Sequence, residues 1–315
     1  MNGPNQRSTS PPSGGLPRRA TLVEVGPRDG FQAESTVIPT GVKIEAITAL
    51  LDAGLTEIQI ASFVHPKRVP QMADAEAVCA AVPRRAGVTY TGLALNVRGV
   101  ERAATAGVDA VDVSISTNDA HSQRNAGMDV DGARTAMRDM IRSGRRAGLQ
   151  VRAGLQCVWG CGEDGGTDPA RVVAMAEAIL SDGADQLSLA DSTGQANPVT
   201  LERVLERILP LAASASVPVV LHLHDTRGAG LANVAAGLRL GVTHFDTALG
   251  GMGGCPFIPG ATGNIPTEDT AALLDGMGVE TGVDVVAVAA VSRRLEAFLG
   301  HTFSGRTYSI LAGPA

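Results

Sequence analysis

The chain has 315 residues, of which 44% are hydrophobic and 18% are charged, with a formal net charge of -6 and a pI near 5.5. A chain of this size and composition can bury a large core as one domain. The acidic balance argues against a nucleic acid partner, which usually requires a basic face. The most apolar stretches, such as Val285 to Val291, are far shorter than the roughly 20 residues that span a bilayer, so no membrane partner is expected.

The first residues differ in composition from the rest of the chain. Residues 1–19 contain Pro, Ser, Gly and Asn with three Arg and no acidic residue. A transit peptide is one interpretation, but Pro and Gly repeatedly interrupt any amphipathic periodicity. We therefore predict a disordered N-terminal tail over residues 1–19, followed by a single domain over residues 20–315.

The cysteines indicate the redox environment in which the protein works. Four of them occur without a secretory signal, which predicts free thiols in a reducing, cytoplasmic environment. Cys157 and Cys161 could form half of a zinc site, but no second cysteine pair follows and the spacing is not CxxC. Buried thiols that pack as small apolar side chains are the favoured interpretation.

From Thr21 onward, strand-like apolar runs alternate with helical patterns. The predicted strands are Thr21 to Val25, Glu57 to Ser62, Val88 to Leu95, Ala110 to Ile115, Gln150 to Cys157, Gln186 to Ala190, Val217 to His222 and Thr243 to Ala248. The predicted helices include Thr40 to Ala53, Met72 to Val82, Ala133 to Ala147 and Ala170 to Ser181. Glycines at the junctions between a helix and the next strand fit helix C-termini: Gly54, Gly107, Gly148 and Gly241.

Eight such units within about 250 residues predict an α/β fold, specifically a (β/α)8 TIM barrel. The main alternative is an open doubly wound sheet. No GxGxxG follows the first predicted strand, which argues against a dinucleotide-binding sheet.

Two histidines end the seventh predicted strand, in the segment LHLHDT over residues 221–226. Because side chains alternate along a strand with a period of two, His222 and His224 point to the same side. Two neutral imidazoles on one side can bind a divalent metal, although a hydrogen-bonded pair is the other interpretation of an isolated motif. In a parallel barrel, this end of the strand belongs to the face that carries the active site.

Polar residues also follow the first and eighth predicted strands. Arg28 and Asp29 come directly after the first strand. A glycine-rich run over residues 250–263 follows the eighth strand, carries Cys255 and ends at Asn264. A surface ion pair is the alternative for Arg28 and Asp29, but three strand ends that converge on one mouth favour a functional site.

A carboxylate, two imidazoles and an amide oxygen form a mixed nitrogen and oxygen ligand set. Such a set suits Mg²⁺ or Mn²⁺, with Zn²⁺ as a further possibility, and leaves positions open for substrate oxygens. The predicted metal ligands are Asp29, His222, His224 and Asn264.

Four segments, in the family's order, resemble 3-hydroxy-3-methylglutaryl-CoA lyase of the DRE-TIM metallolyase superfamily. They are VEVGPRDGFQAE (23–34), ASFVHPKRVPQMAD (61–74), HLHDTRGAGLANV (222–234) and GGMGGCPFIPGATGNIPTED (250–269). The similarity runs from about Ala20 to Gly282. It implies a TIM barrel, an acyl-CoA substrate and a divalent cation held by the four residues named above. Leucine degradation is the implied context, and a homo-oligomer, either a dimer or a tetramer, is expected.

The resemblance also implies roles for individual residues. The family's substrate-polarising arginine matches Arg28, and its loop cysteine matches Cys255. Three further residues fall on positions associated with the acyl pocket: Ser62, Asn96 and Ser188. The implied reaction is a retro-Claisen cleavage that yields acetyl-CoA and a keto acid. His222 would then accept the hydroxyl proton, Arg28 would stabilise the enolate oxygen, and Cys255 would protonate the enolate carbon.

One position departs from the family pattern at the end of the second predicted strand. Gln59 stands where the family has a glutamate, while Ser35 and Phe257 replace a lysine and a tyrosine. An amide cannot carry charge at neutral pH. We therefore predict that Gln59 accompanies a preferred substrate that differs from 3-hydroxy-3-methylglutaryl-CoA. A tolerated exchange with a modest loss of rate is the alternative.

Two other functional hypotheses remain at this point. One is an acetyl-CoA-dependent condensing synthase of the same superfamily, which the GGCP segment and the short chain disfavour. The other is a lyase-like barrel with little activity because of Gln59, which the complete set of predicted metal ligands disfavours.

Overall fold

The structure is a computed structural model, and it describes residues 15–162, 166–254 and 262–311. Its strands are β1 (Thr21–Glu24), β2 (Glu57–Ser62), β3 (Thr89–Ala94), β4 (Ala110–Ser116), β5 (Gln150–Gln156), β6 (Gln186–Ala190), β7 (Val219–His222) and β8 (His244–Thr247). Neighbouring strands pair in parallel in chain order, and β8 pairs with β1. The closed barrel confirms the predicted (β/α)8 fold and excludes the open sheet.

Helices follow the strands and surround the barrel. They are α1 (Phe31–Ala33), α2 (Thr40–Asp52), α3 (Ala75–Ala81), α4 (Val97–Ala106), α5 (Asp119–Ala126), α6 (Val130–Arg146), α7 (Pro169–Ser181), α8 (Pro198–Ser214), α9 (Gly230–Arg239), α10 (Thr267–Gly276), α11 (Val285–Leu299) and α12 (Thr307–Leu311). Gly107 ends α4 with a φ of 78°, a left-handed conformation that a residue with a Cβ rarely adopts. No helix in these described ranges is both long enough and apolar enough to cross a membrane.

The apolar core lies mainly between the strands and the helices, where Ile47, Leu50 and Val100 are fully buried. The barrel interior is different, because it holds charged side chains. Asp112, Arg152 and Asp246 are at most 7% exposed, although branched apolar residues usually fill this space. Buried charges are costly unless they are paired, so these three require a defined arrangement.

Two residues before the predicted domain boundary make backbone contacts with the barrel domain. The backbone of Arg19 pairs with that of Glu280, and Glu280 N donates to the carbonyl of Arg18. Arg18 and Arg19 therefore belong to the barrel domain. Of the rest of the predicted tail, residues 1–14 lie outside the described part of the chain, and residues 15–17 lie within it.

Glu24 is a fully buried acid that ties together three segments at the top of the barrel. Its Oε1 accepts hydrogen bonds from the backbone of Gly26 at 2.8 Å and of Leu249 at 3.0 Å. The Thr267 hydroxyl lies 2.7 Å from Oε2. Burial raises the pKa of Glu24 to about 8, and these hydrogen bonds oppose the rise only in part.

This raised pKa predicts a pH-dependent stability. Between about pH 4.5 and 8, the folded state binds a proton at Glu24 that the unfolded state lacks, so stability is lost as the pH rises through this range. The slope is at most about 1.4 kcal/mol per pH unit. Urea unfolding between pH 5 and 8 should show a flatter dependence for Glu24→Gln than for wild type. Glu280→Gln, at an exposed position, is the control and should keep the wild-type slope.

Candidate active site

A cavity of about 200 Å³ lies at the carboxyl ends of the strands. Arg28 and Asp29, on the turn after β1, line this cavity. Residues from each of the strands β2 to β8 complete its wall. The period of two along a strand explains which residues line the cavity, because the side chains of His222 and His224 point inward together, as do those of Arg152 and Gln156 on β5. Polar strand-end residues that are distant in sequence therefore share one chamber.

The four predicted metal ligands lie together at this mouth. One ligand atom from each of Asp29, His222 and His224 lies within 4.8 Å of the others. Asn264 Nδ2 donates to Asp29 Oδ2 at 2.8 Å, and the backbone of Asn264 pairs with that of His224. The structure thus brings the ends of three separate segments to one point.

The donor set fits a divalent cation. His222 Nδ1 lies 3.0 Å from Asp246 Oδ2, which makes Nδ1 the protonated nitrogen and leaves a lone pair on Nε2. That Nε2 lies 3.1 Å from His224 Nε2, so two acceptor nitrogens face each other unless a proton or a cation lies between them. Asn264 Oδ1 is buried and has no hydrogen-bond partner among the described residues. Its oxygen is available as a ligand.

The electrostatics favour the ligand forms of these side chains. Burial acts to raise the pKa of Asp29, but the charge of Arg28 and the hydrogen bond from Asn264 lower it to about 2. Burial lowers the pKa of His224 to about 3. A carboxylate beside a neutral imidazole is the state that metal binding requires.

Arg28 is 9% exposed and is held from two sides. Its Nη1 pairs with the Asp29 carboxylate, and its Nε donates to Gln59 Oε1. A guanidinium has five N–H groups, so donors remain for a ligand in the cavity. Arg28 therefore places a fixed positive charge directly beside the cluster of metal-type ligands.

The sequence did not predict three charged residues that form a network inside the barrel. Arg152, from β5, donates to both oxygens of Asp112 on β4 and, at 2.6 Å, to Asp246 on β8. Asp246 in turn orients His222. Each of these residues is the one Asp, Glu, Lys or Arg in its strand, and that isolation was the available signal. Strand spacing alone does not say which charges pair across a barrel.

Of the three predicted acyl-pocket residues, one lines the cavity and two do not. Ser188 on β6 lines the cavity. Ser62 is fully buried, while Asn96 caps α4 by accepting from the Gly99 backbone at 2.8 Å, and neither contributes to the described cavity wall. Their assignment to the acyl pocket therefore gains no support from the cavity. Cys255 lies outside the described residues, although the preceding Gly254 lines the cavity.

The other thiols are free and buried, as predicted. Cys157 and Cys161 come directly after β5, and burial raises the pKa of Cys157. The sequence interpretation did not anticipate that His121 lies beside them, with its ligand nitrogen within 4.8 Å of both sulfurs. The neighbourhood of these thiols is thus not purely apolar.

Together, the barrel and the cavity define a class of protein: a TIM barrel with a candidate metal centre of carboxylate, imidazole and amide groups and an adjacent arginine. The model of the HMGL-like family matches residues 19–295. The chain belongs to this family and is a carbon–carbon lyase, as the sequence predicts.

Individual relatives agree over nearly the whole length. The hydroxymethylglutaryl-CoA lyase YngG of Bacillus subtilis is 37% identical over 294 residues, which is 93% of this chain and 98% of the relative. A Pseudomonas aeruginosa enzyme named 3-hydroxy-3-isohexenylglutaryl-CoA/hydroxy-methylglutaryl-CoA lyase is 38% identical over 95% and 99% of the two chains.

Solved structures are similarly close. The crystal structure of hydroxymethylglutaryl-CoA lyase from P. aeruginosa matches with a TM-score of 0.91 at 38% identity, covering 95% of this chain and 99% of that one. An Acinetobacter baumannii lyase in complex with coenzyme A and 3-methylmalate matches with a TM-score of 0.88 at 35% identity, covering 94% and 95% of the chains.

Proposed function

We propose that this protein is a divalent-metal-dependent lyase that cleaves a 3-hydroxy-3-methylglutaryl-CoA-like thioester to acetyl-CoA and a keto acid. The observation that carries the proposal is the contact between Arg28 and Asp29. It places a fixed cation beside three groups that suit a metal, within one cavity. Cleavage of the carbon–carbon bond needs both, because an alcohol must lose its proton while negative charge develops on the thioester oxygen.

Asp29, His222, His224 and Asn264 would hold the metal. Bound there, a divalent ion would lower the pKa of the substrate hydroxyl, as it does for bound water. The donor set suits a divalent metal, and we propose Mg²⁺ or Mn²⁺ from its oxygen donors, with Zn²⁺ as the alternative that the two imidazoles also suit.

Individual side chains of the protein would carry out the remaining steps of the reaction. When the hydroxyl loses its proton, the oxygen forms the carbonyl of the keto acid, and the electrons of the breaking bond move onto the thioester as an enolate. Arg28 donates to the enolate oxygen. The proton would leave toward His222, whose Nδ1 is already engaged by Asp246, so only Nε2 can accept it. A nitrogen bound to a metal has no lone pair left for a proton, so His222 would accept the proton only while Asp29, His224 and Asn264 hold the metal.

Cys255 is the proposed acid that protonates the enolate carbon to complete acetyl-CoA. Its position immediately after the cavity-lining Gly254 supports this role. An acyl-CoA is the proposed substrate, and the A. baumannii relative in complex with coenzyme A supports that class. A cytoplasmic location, a homo-oligomer and a place in leucine degradation are proposed with it.

A panel of thioesters tests the substrate. We expect purified protein with Mg²⁺ or Mn²⁺ to release acetyl-CoA from 3-hydroxy-3-methylglutaryl-CoA or from a homologue with a longer 3-alkyl group, such as 3-hydroxy-3-isohexenylglutaryl-CoA. The thioester that is cleaved most efficiently shows whether the preferred substrate differs from 3-hydroxy-3-methylglutaryl-CoA, as the sequence predicts. Incubation with acetyl-CoA and a keto acid is the opposing assay. Condensation accompanied by release of free CoA would identify a synthase and refute the lyase proposal.

A further inference from the structure

Gln59 lies between two charged residues of opposite sign at the floor of the cavity. Its Oε1 accepts from Arg28 Nε, and its Nε2 donates to Asp112 Oδ2. Gln59 and Asp112 are 0% and 5% exposed. Each end of the amide therefore makes a hydrogen bond within the protein, and these two contacts fix its orientation.

Asp112 is a carboxylate surrounded by donors. Besides Gln59, the Thr91 hydroxyl donates to it at 3.3 Å, and Arg152 donates to both of its oxygens. Burial raises the pKa of Asp112, and the charge and hydrogen bonds of Arg152 oppose that rise only in part. These neighbours all serve as donors, so the arrangement suits an ionised group that only accepts.

The local backbone supports a specific placement of Gln59. The pairing of β2 with β3 changes register between Gln59 and Ala61. An extra residue of this kind redirects the neighbouring side chains, and such bulges are frequent beside active sites. Here Gln59 spans from the turn after β1, where Arg28 lies, to Asp112 on β4.

We propose that Asp112 is a positioning residue for the lyase reaction: it fixes the Gln59 amide, which in turn holds the Arg28 guanidinium toward the cavity. The inference rests on the proposed function only for the role of Arg28. It explains why an amide stands at position 59. A carboxylate there would still accept from Arg28, but it would lose the donor to Asp112 and bring two negative charges into contact.

An exchange of the two groups tests this account. We expect Gln59→Glu and Asp112→Asn each to lower kcat by about 10- to 100-fold, the usual cost of a displaced reacting group, with KM changed less than about threefold. In the double variant the amide and the carboxylate have exchanged places, so kcat should recover to within about threefold of wild type. Thr91→Val removes only the weaker hydrogen bond to Asp112, and it should change kcat by less than about threefold.

A second readout does not depend on turnover. The ¹⁵Nε–¹H resonance of Arg28, assigned by its loss in Arg28→Met, reports the hydrogen bond to Gln59. We expect this resonance to shift or broaden in each single variant and to return near its wild-type position in the double variant. Thermal unfolding of each variant separates misfolding from misplacement. If Asp112→Asn fails to fold, the comparison of Gln59→Glu with the double variant still decides.

The outcomes are distinct. An unchanged kcat and an unchanged Arg28 resonance in folded Asp112→Asn would overturn the positioning role, as would a double variant no better than the product of its singles. A wild-type protein that cleaves none of the thioesters refutes the proposed function instead. In that case the Arg28 resonance still tests whether Asp112 acts on Arg28 through Gln59.

Discussion

Replacement of Arg28 by methionine is expected to lower turnover by about two to four orders of magnitude while leaving metal binding nearly intact. The guanidinium is the fixed cation at the cavity wall, and charge develops on the thioester oxygen only as the bond breaks. Methionine keeps an unbranched side chain but removes all N–H donors. Steady-state kinetics and Mn²⁺ binding, measured by electron paramagnetic resonance, give the two readouts.

The matched control is Arg134→Met on α6, where the arginine is exposed and forms an ion pair with Asp131. This variant should keep wild-type turnover and affinity. Near-normal turnover of Arg28→Met on the substrate identified by the panel would show that Arg28 does not act on the developing charge. A large loss of Mn²⁺ binding would instead make Arg28 a support for Asp29.

Removal of one predicted ligand should abolish the metal centre. We expect His224→Ala to bind Mn²⁺ at least about 100-fold more weakly, because even groups that only orient ligands commonly contribute 10- to 100-fold. Turnover at fixed Mn²⁺ should fall by about a thousandfold or more, since metal-assisted charge stabilisation is worth several kcal/mol.

His244→Ala is the control for this variant, because His244 lies at the opposite end of β8 and contacts Thr243. Its Mn²⁺ affinity should match that of wild type. Unaltered Mn²⁺ affinity in folded His224→Ala would remove the imidazole pair from the metal site and leave the hydrogen-bonded interpretation of that pair.

The barrel and the residues at its mouth were accessible from sequence for a physical reason. Apolar runs repeated at regular intervals specify alternating strands and helices, and parallel strands place their carboxyl ends on one face. Residues directly after a strand, such as Asp29 and His224, are therefore brought together whatever their separation in the chain. Helix boundaries differed by a few residues, as for α6, which begins at Val130 rather than Ala133.

The charged network inside the barrel could not be predicted from the sequence in this way. Asp112, Arg152 and Asp246 face one another because of the barrel's closure and stagger, and no local spacing encodes that pairing. The expectation for Gln59 consequently pointed toward the substrate, whereas its amide makes contacts with Arg28 and Asp112 inside the protein. Whether the preferred thioester differs from 3-hydroxy-3-methylglutaryl-CoA stays a prediction.

The most direct test of the account is a metal titration with product analysis. Metal-free protein is incubated with 3-hydroxy-3-methylglutaryl-CoA and its 3-alkyl homologues, and Mn²⁺ is added stepwise while mass spectrometry follows the products. The account predicts equimolar acetyl-CoA and keto acid, formed in proportion to the Mn²⁺ bound and absent without it. Fully loaded protein that releases neither product from any of these thioesters would contradict it.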